Sequence, residues 1–89
     1  MARVAFTQRY FDSIAQITSP RLQNRLTRLV TLIADVPTSG SRLNRKSLKA
    51  EFGEDCYTAD LMPFNLVYEY RESEDLVLFH GIVHQRNIM

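Results

Sequence analysis

The sequence has little cysteine, glycine or proline, and it has no long apolar run. Its 89 residues include one cysteine, Cys56, with three glycines and three prolines. A single cysteine excludes an intrachain disulfide and makes a cytoplasmic location the default expectation. Because Cys56 opens a predicted strand, we expect it to be a small buried hydrophobe rather than a reactive thiol. No stretch approaches the roughly 18 apolar residues of a membrane span, so we expect a soluble protein. The chain turns polar at Thr7 and Gln8, which is too early for the apolar core of a secretory signal.

Internal repeats and glycine-rich phosphate loops are also missing from the sequence. A chain of this length buries only about 60–65% of the surface that its unfolded form exposes, so we expect one domain, residues 1–89, with one core. The formal charge is +1, but residues 1–49 carry +7 and residues 50–89 carry −6. The basic half indicates either a patch for nucleic acid or a basic helical layer against acidic strands.

The first half of the chain predicts one short strand and two helices. Arg3–Phe6 alternates as an edge strand does, and Thr7 is a suitable N-cap for the helix that follows. Ser19 and Pro20 end that helix and begin a second one, which stops before Pro37. The apolar stripe of the second helix consists of Leu22, Leu26, Leu29, Val30 and Ile33.

The last third predicts three consecutive strands, CYTADL, FNLVYEYRE and DLVLFHGIVHQR, joined by tight connections. The expected fold is therefore α+β: an antiparallel meander sheet with an N-terminal helical hairpin packed on one face. Because side chains alternate along a strand, the apolar set should face the helices. The same alternation predicts a polar set on the uncovered face: Thr58, Asp60, Asn65, Glu69, His80, His84 and Arg86.

Histidines, carboxylates and an arginine on one open face can perform acid–base chemistry on a phosphate, although any solvated sheet face is polar. His80 and His84 lie four apart on a strand, about 13 Å from each other, so the two cannot share one ion. We expect no metal and no cofactor. A separate basic cluster is either a solvated loop or a phosphate-binding segment: Arg42, Arg45, Lys46 and Lys49.

The order of strand, helical hairpin and meander, with DCYTADL, FNLVYEY and LVLFHGIVHQRNI, resembles the RelE/ParE superfamily of bacterial toxins over nearly the whole chain. The Asp-Cys-Tyr opening and the Leu-Val-Tyr strand are similar to RelE. The closing His-x-Arg-x-Ile is similar to ParE-type sequences. The resemblance implies a type II toxin that a cognate antitoxin holds inactive in a hetero-oligomer, with the antitoxin segment lying along the helical hairpin or the sheet edge.

For a RelE-type member, the resemblance implies ribosome-dependent cleavage of mRNA, with the ribosome and mRNA as partners. On that hypothesis His84 would be the general acid or base for the ribose 2′-hydroxyl. Arg86 would stabilise the phosphorane, and Asp60 or Glu69 would orient the imidazole. The basic cluster would contact the RNA.

Two alternatives remain open on the same resemblance. Thr58, Asp60 and Asn65 stand where RelE-like nucleases present cationic side chains. A ParE-like inhibitor of DNA gyrase, which is not a nuclease, needs no such cations. A degenerate, non-toxic member that only binds an antitoxin needs none either.

Overall fold

The computed structural model describes residues 1–42, 49, 51–53 and 55–85. This part of the chain is an α+β fold of two main helices and a five-stranded mixed sheet. A short 3₁₀ turn, Glu72–Glu74, precedes the last strand. Arg45, Lys46 and Arg86 lie outside the described residues. The elements in chain order are β1 (Arg3–Phe6), α1 (Gln8–Ile14), α2 (Pro20–Asp35), β2 (Ser41–Arg42), β3 (Cys56–Leu61), β4 (Phe64–Arg71) and β5 (Leu76–His84).

Both helices begin where their local chemistry predicts, and α2 also ends there, but α1 ends earlier than expected. The sequence predicts a first helix that lasts until Ser19, whereas α1 ends at Ile14, because the next backbone amides bond three residues back, in turns, instead of four. The Thr7 side chain accepts a hydrogen bond from the Tyr10 amide at 3.0 Å and so caps α1. Ser19 caps α2, with proline at the first helical position. The helix ends at Asp35 because Val36, which precedes a proline, leaves the helical region at φ −132° and ψ 81°.

The strand order in the sheet is β1-β5-β4-β3-β2. Strands β3, β4 and β5 form the predicted antiparallel meander. The expectation of an antiparallel sheet is nevertheless only partly correct, because β1 pairs parallel with β5, from Arg3 opposite Leu76 to Phe6 opposite Phe79. The short strand β2 extends the other edge by pairing with β3. The N-terminal strand is thus placed beside the last one, and β5 becomes an internal strand.

The main core lies between the helices and one face of the sheet. Tyr68 and Phe79 are fully buried at its centre, with Ile33 of α2 above them. The Tyr68 hydroxyl donates to the Pro37 carbonyl at 2.8 Å and accepts from the Gly40 amide at 3.0 Å. These two bonds hold the connection after α2 against the sheet and so position β2.

A β-bulge interrupts the pairing of β4 with β5. Tyr68 pairs with Phe79 but Val67 pairs with Gly81, so His80 is the extra residue. Gly81 has φ +149°, which an L side chain rarely adopts. One extra residue reverses the alternation of everything after it. The prediction that Ile82 and His84 share a face with His80 is therefore wrong.

The second face of the sheet, opposite the helices, is not open as expected. Phe52 packs there with Cys56, Val67 and Val83 in a small second core. The guanidinium of Arg9 lies 4.3 Å from the centre of the Phe52 ring and pairs with Glu51. The segment around Phe52 therefore covers part of the face on which we expected the chemistry.

Candidate functional site

A carboxylate and a histidine meet beside this second core. His80 Nε2 lies 3.1 Å from Glu69 Oε1, and Arg71 Nε lies 2.7 Å from Glu69 Oε2. The side chains of His80 and Glu69 are 18% and 22% exposed, so solvent reaches the pair from one side only. The two residues are neighbours across two adjacent strands, because Glu69 lies on β4 and the bulge residue His80 lies on β5.

Two opposing effects act on the Glu69 carboxyl. Partial burial disfavours its charged form, but hydrogen bonds from Arg71 and His80 outweigh that effect, and the pKa of Glu69 is lowered below its ordinary value. Glu69 is therefore a carboxylate at neutral pH and accepts the Nε2 proton of His80. An imidazole oriented in this way by a carboxylate is suited to proton transfer.

Cys56 adjoins the pair from β3, where it is directly opposite Glu69. Its side chain is 1% exposed, and its thiol donates to the Phe52 carbonyl at 3.1 Å. Burial, reinforced by the nearby charges of Glu69 and Asp55, raises the pKa of the Cys56 thiol to about 11. The sequence-based expectation of a small buried hydrophobe is confirmed, and without a further ligand the thiol is protonated at neutral pH.

Of the four predicted catalytic residues, the three that the structure describes, Asp60, Glu69 and His84, do not lie in one place. Asp60 lies on the face of Glu69 but four residues along β3 from Cys56, about 13 Å away. It accepts a hydrogen bond from Gln85 Nε2 at 2.8 Å. His84 pairs with Phe64 on the helix-covered face and packs edge-on against its ring. The predicted grouping of His84 with Glu69 is thus wrong, while Arg86 lies outside the described residues.

His80 is the site residue that the predicted catalytic set lacks. Its partner Glu69 is in that set. Regular alternation along the last strand would place His80 and His84 on the same face, so alternation alone does not favour one histidine over the other. A glycine inside a strand pattern indicates a bulge, and Gly81 immediately follows His80. A bulge at this glycine places His80 and His84 on opposite faces of the sheet.

Two of the four basic residues predicted to contact nucleic acid can be placed. The Arg42 guanidinium lies 5.3 Å from the centre of the Tyr57 ring, near the sheet end, and is exposed. Its hydrogen bond to the Tyr57 hydroxyl, at 3.5 Å, raises the pKa of Arg42. Lys49 is half-buried, and its carbonyl accepts from the Gly53 amide.

An apolar groove of about 420 Å³ lies on the helical side of the molecule. It runs between α1 and α2 and begins at Phe6 of β1. Tyr10, Ile14 and Val30 form its apolar walls, and Thr27 and Thr31 line its outer rim. An amphipathic segment of another protein is the kind of ligand that such a groove accepts.

Among the described helices, none is long and apolar enough to span a membrane.

Solved structures share this architecture. The chain is similar to the RelBE2 toxin–antitoxin complex of Mycobacterium tuberculosis, with a TM-score of 0.74 and 16% identity over 93% of this chain and 96% of that one. For the intact E. coli RelBE complex the TM-score is 0.73 and the identity 15%, over 94% and 96% of the two chains. For the isolated E. coli RelE toxin they are 0.70 and 14%, over 94% and 84%. No protein-family model matches the sequence, and no curated protein matches it significantly.

These likenesses first define a class, a small α+β domain with a five-stranded mixed sheet and two helices. More particularly, the chain has the fold of RelE toxins. The predicted resemblance is confirmed at the level of the fold. At 14–16% identity the likeness carries the fold alone.

Proposed function

We propose that this protein is the toxin component of a toxin–antitoxin pair. The observation that carries the proposal is the match of more than nine-tenths of the chain to RelE toxins, two of them in complexes with antitoxins. The apolar groove between the helices supports it, because it supplies an unoccupied surface for a partner segment. The partner would be an antitoxin encoded beside this protein, and the pair would act in the cytoplasm.

The activity that we propose is inhibition of translation by ribosome-dependent cleavage of mRNA. In this reaction the ribose 2′-hydroxyl attacks the adjacent phosphate, and a general base accepts the hydroxyl proton. The bond from phosphorus to the 5′-oxygen of the next nucleotide breaks, which leaves a cyclic 2′,3′-phosphate, and the departing 5′-oxygen takes up a proton. The Glu69–His80 pair supports this role, because Glu69 orients the imidazole and both side chains reach solvent. His80 would accept the proton. Either Arg71, which contacts Glu69, or Arg86, which lies outside the described residues, would stabilise the charge on the phosphorane.

A graded experiment tests the toxin proposal. Induction of the protein without its antitoxin should arrest growth, and RNA 5′ ends mapped after induction should show cuts in phase with codons. Co-expression of the neighbouring gene product should restore growth. Normal growth on induction, with folded protein present, would contradict the toxin proposal and leave only a degenerate antitoxin-binding member.

Site variants separate the two histidines. With purified ribosomes, His80→Gln and Glu69→Gln should reduce mRNA cleavage by roughly 10²–10⁴-fold, the usual size of a general-base effect. The His84→Ala and Arg86→Ala double variant tests the roles predicted from the sequence. If that double variant loses cleavage while His80→Gln keeps it, the base is His84 and the proposal for His80 is wrong.

We propose that the apolar groove between α1 and α2 is the binding site of the antitoxin segment. Thr27→Arg with Thr31→Arg would fill the rim of the groove with two bulky cations while sparing the core, since both threonines are exposed. We expect this variant to remain toxic but to escape neutralisation by the antitoxin. Asn24→Arg, an exposed position of the same helix that does not line the groove, is the matched control. Full neutralisation of the double variant would place the antitoxin elsewhere.

A second function is favoured by one feature of the same face. Thr58, Asp60 and Asn65 share the side of the sheet that carries Glu69, and none of them is cationic. This surface is poorly suited to hold RNA but compatible with a protein target, as for a ParE-like gyrase inhibitor. Growth arrest with intact messages and with gyrase-dependent DNA damage would select this alternative.

A further inference from the structure

We propose that Cys56, Glu69 and His80 form a binding site for one zinc-class divalent cation. The three residues come from three adjacent strands, β3, β4 and the bulge of β5, and lie side by side on the second face of the sheet. One ligand atom from each, the thiol sulfur, a carboxylate oxygen and an imidazole nitrogen, lies within 4.8 Å of the other two. The site goes beyond the proposed function, because nothing in toxin activity requires it.

The spacing of the ligand atoms suits a tetrahedral ion. Zinc bonds of about 2.0–2.3 Å place neighbouring ligand atoms about 3.3–3.8 Å apart. His80 Nε2 and Glu69 Oε1 already lie 3.1 Å apart. The sulfur lies within 4.8 Å of both atoms, so on the same bond lengths it has to approach each of them by about 1.3 Å at most.

The identity of the ligands selects the metal. Thiolate, imidazole and carboxylate together are the ligand types of zinc, whereas magnesium and calcium prefer oxygen alone. One thiolate and one carboxylate also balance the double charge of the ion. Three protein ligands leave a fourth position, which would face the exposed side of His80 and Glu69 and be taken by water.

The surroundings support the ligands from outside. Arg71 holds Glu69 by Oε2, which orients the carboxylate and leaves Oε1 toward His80 and the cysteine. Phe52, Val67 and Val83 enclose the sulfur in an apolar wall that excludes water. His80 can bind through Nε2 when its ring proton is on Nδ1. The pair His80 and His84, which the sequence excluded as shared ligands, lies on opposite faces of the sheet.

Cobalt provides the direct test. Untagged, chelator-treated protein in a non-thiol reductant is titrated with Co²⁺, which reports thiolate ligation by a sulfur-to-cobalt charge-transfer band in the near ultraviolet and four-coordination by intense visible bands. We expect one ion per chain, displaced by one equivalent of Zn²⁺. Zn²⁺ at 100-fold excess over Kd should raise the Tm by about 11–22 °C.

Variants assign the ligands. Cys56→Ser should abolish the charge-transfer band, and His80→Gln and Glu69→Gln should each weaken Zn²⁺ binding by at least 10-fold. His84→Gln and Asp60→Asn are matched controls and should bind within twofold of the parent protein. Circular dichroism of each metal-free variant checks folding; if Cys56→Ser does not fold, His80→Gln, which keeps a donor for Glu69, decides.

Folded parent protein that shows no charge-transfer band at millimolar Co²⁺ would overturn the proposal. So would Zn²⁺ binding that His84→Gln weakens as much as His80→Gln does. An ion on Nε2 would leave the ring proton of His80 on Nδ1, so that neither nitrogen could accept a proton, and a metal-bound chain should be inactive as a nuclease. Because the titration measures binding and not cleavage, its outcome is independent of whether the toxin proposal holds.

Discussion

Replacing Tyr68 by phenylalanine is the sharpest test of how the structure is held together. The ring is fully buried, and its hydroxyl joins the Pro37 carbonyl at 2.8 Å and the Gly40 amide at 3.0 Å. Tyr68→Phe keeps the ring and removes only these two bonds. The carbonyl and the amide would then lack a partner in a half-buried position.

The magnitude follows from the cost of leaving polar groups unpaired. Each such group costs about 1–3 kcal/mol when it is buried, and both groups here are part-buried, so the lower end applies. We expect Tyr68→Phe to lower the free energy of unfolding by about 2 kcal/mol. In a domain of this size, each kcal/mol shifts the Tm by about 4–8 °C, so the Tm should fall by about 8–16 °C.

Tyr57→Phe is the matched control. The Tyr57 ring stacks on Tyr68 at 5.3 Å, but among the described residues its hydroxyl has only the 3.5 Å contact with exposed Arg42. This control should stay within about 0.5 kcal/mol of the parent protein. Urea unfolding followed by circular dichroism measures both variants. A difference between them smaller than about 0.5 kcal/mol would refute the reasoning that the hydroxyl holds the connection after α2.

Three further changes test particular contacts. In Gly40→Ala the new methyl group would lie 2.7 Å from the Thr58 carbonyl oxygen, a backbone atom that cannot move away easily. Urea unfolding should show that the free energy of unfolding falls by about 2–4 kcal/mol. In Gly81→Ala the new methyl group would meet Ser13 at 3.0 Å, at a backbone φ of +149°, whereas in Gly53→Ala it would enter open space at a φ of +104°. Gly81→Ala should therefore lower the free energy of unfolding more than Gly53→Ala does, and equal losses would contradict a role for the Ser13 contact. Phe52→Ala should destabilise by about 2–4 kcal/mol and speed the reaction of Cys56 with thiol reagents; an unchanged labelling rate would mean that Phe52 does not shield the sulfur.

Local chemistry predicted the main elements, but not β2 or the early end of α1. The cap at Thr7, the proline at position 20 and the proline that follows Val36 each act within about four residues, so the start of both helices and the end of α2 follow from short segments. The three strands of the last third, with the buried cysteine at the head of the first, follow from alternation in the same way.

The candidate site was only half predictable. Glu69 was identified from its face, and that face is correct because the register of β3 with β4 is regular. His84 was misplaced, since the single extra residue at the bulge reverses the face of every later position. The position of Gly81 indicates a bulge, but whether the chain forms one depends on what packs beside it. Here that neighbour is Ser13, whose hydroxyl oxygen accepts a hydrogen bond from the Ile82 amide.

The sequence by itself determined the two helices and four of the five described strands, and it determined that Cys56 is buried, because those properties depend on neighbours a few residues away. Only the tertiary structure decided that β1 lies parallel to β5, that Phe52 covers the second face, and that His80 rather than His84 meets Glu69. The physical reason is distance along the chain. Arg3 pairs with Leu76 and Arg9 packs on Phe52, and contacts over such separations form only when the whole core assembles.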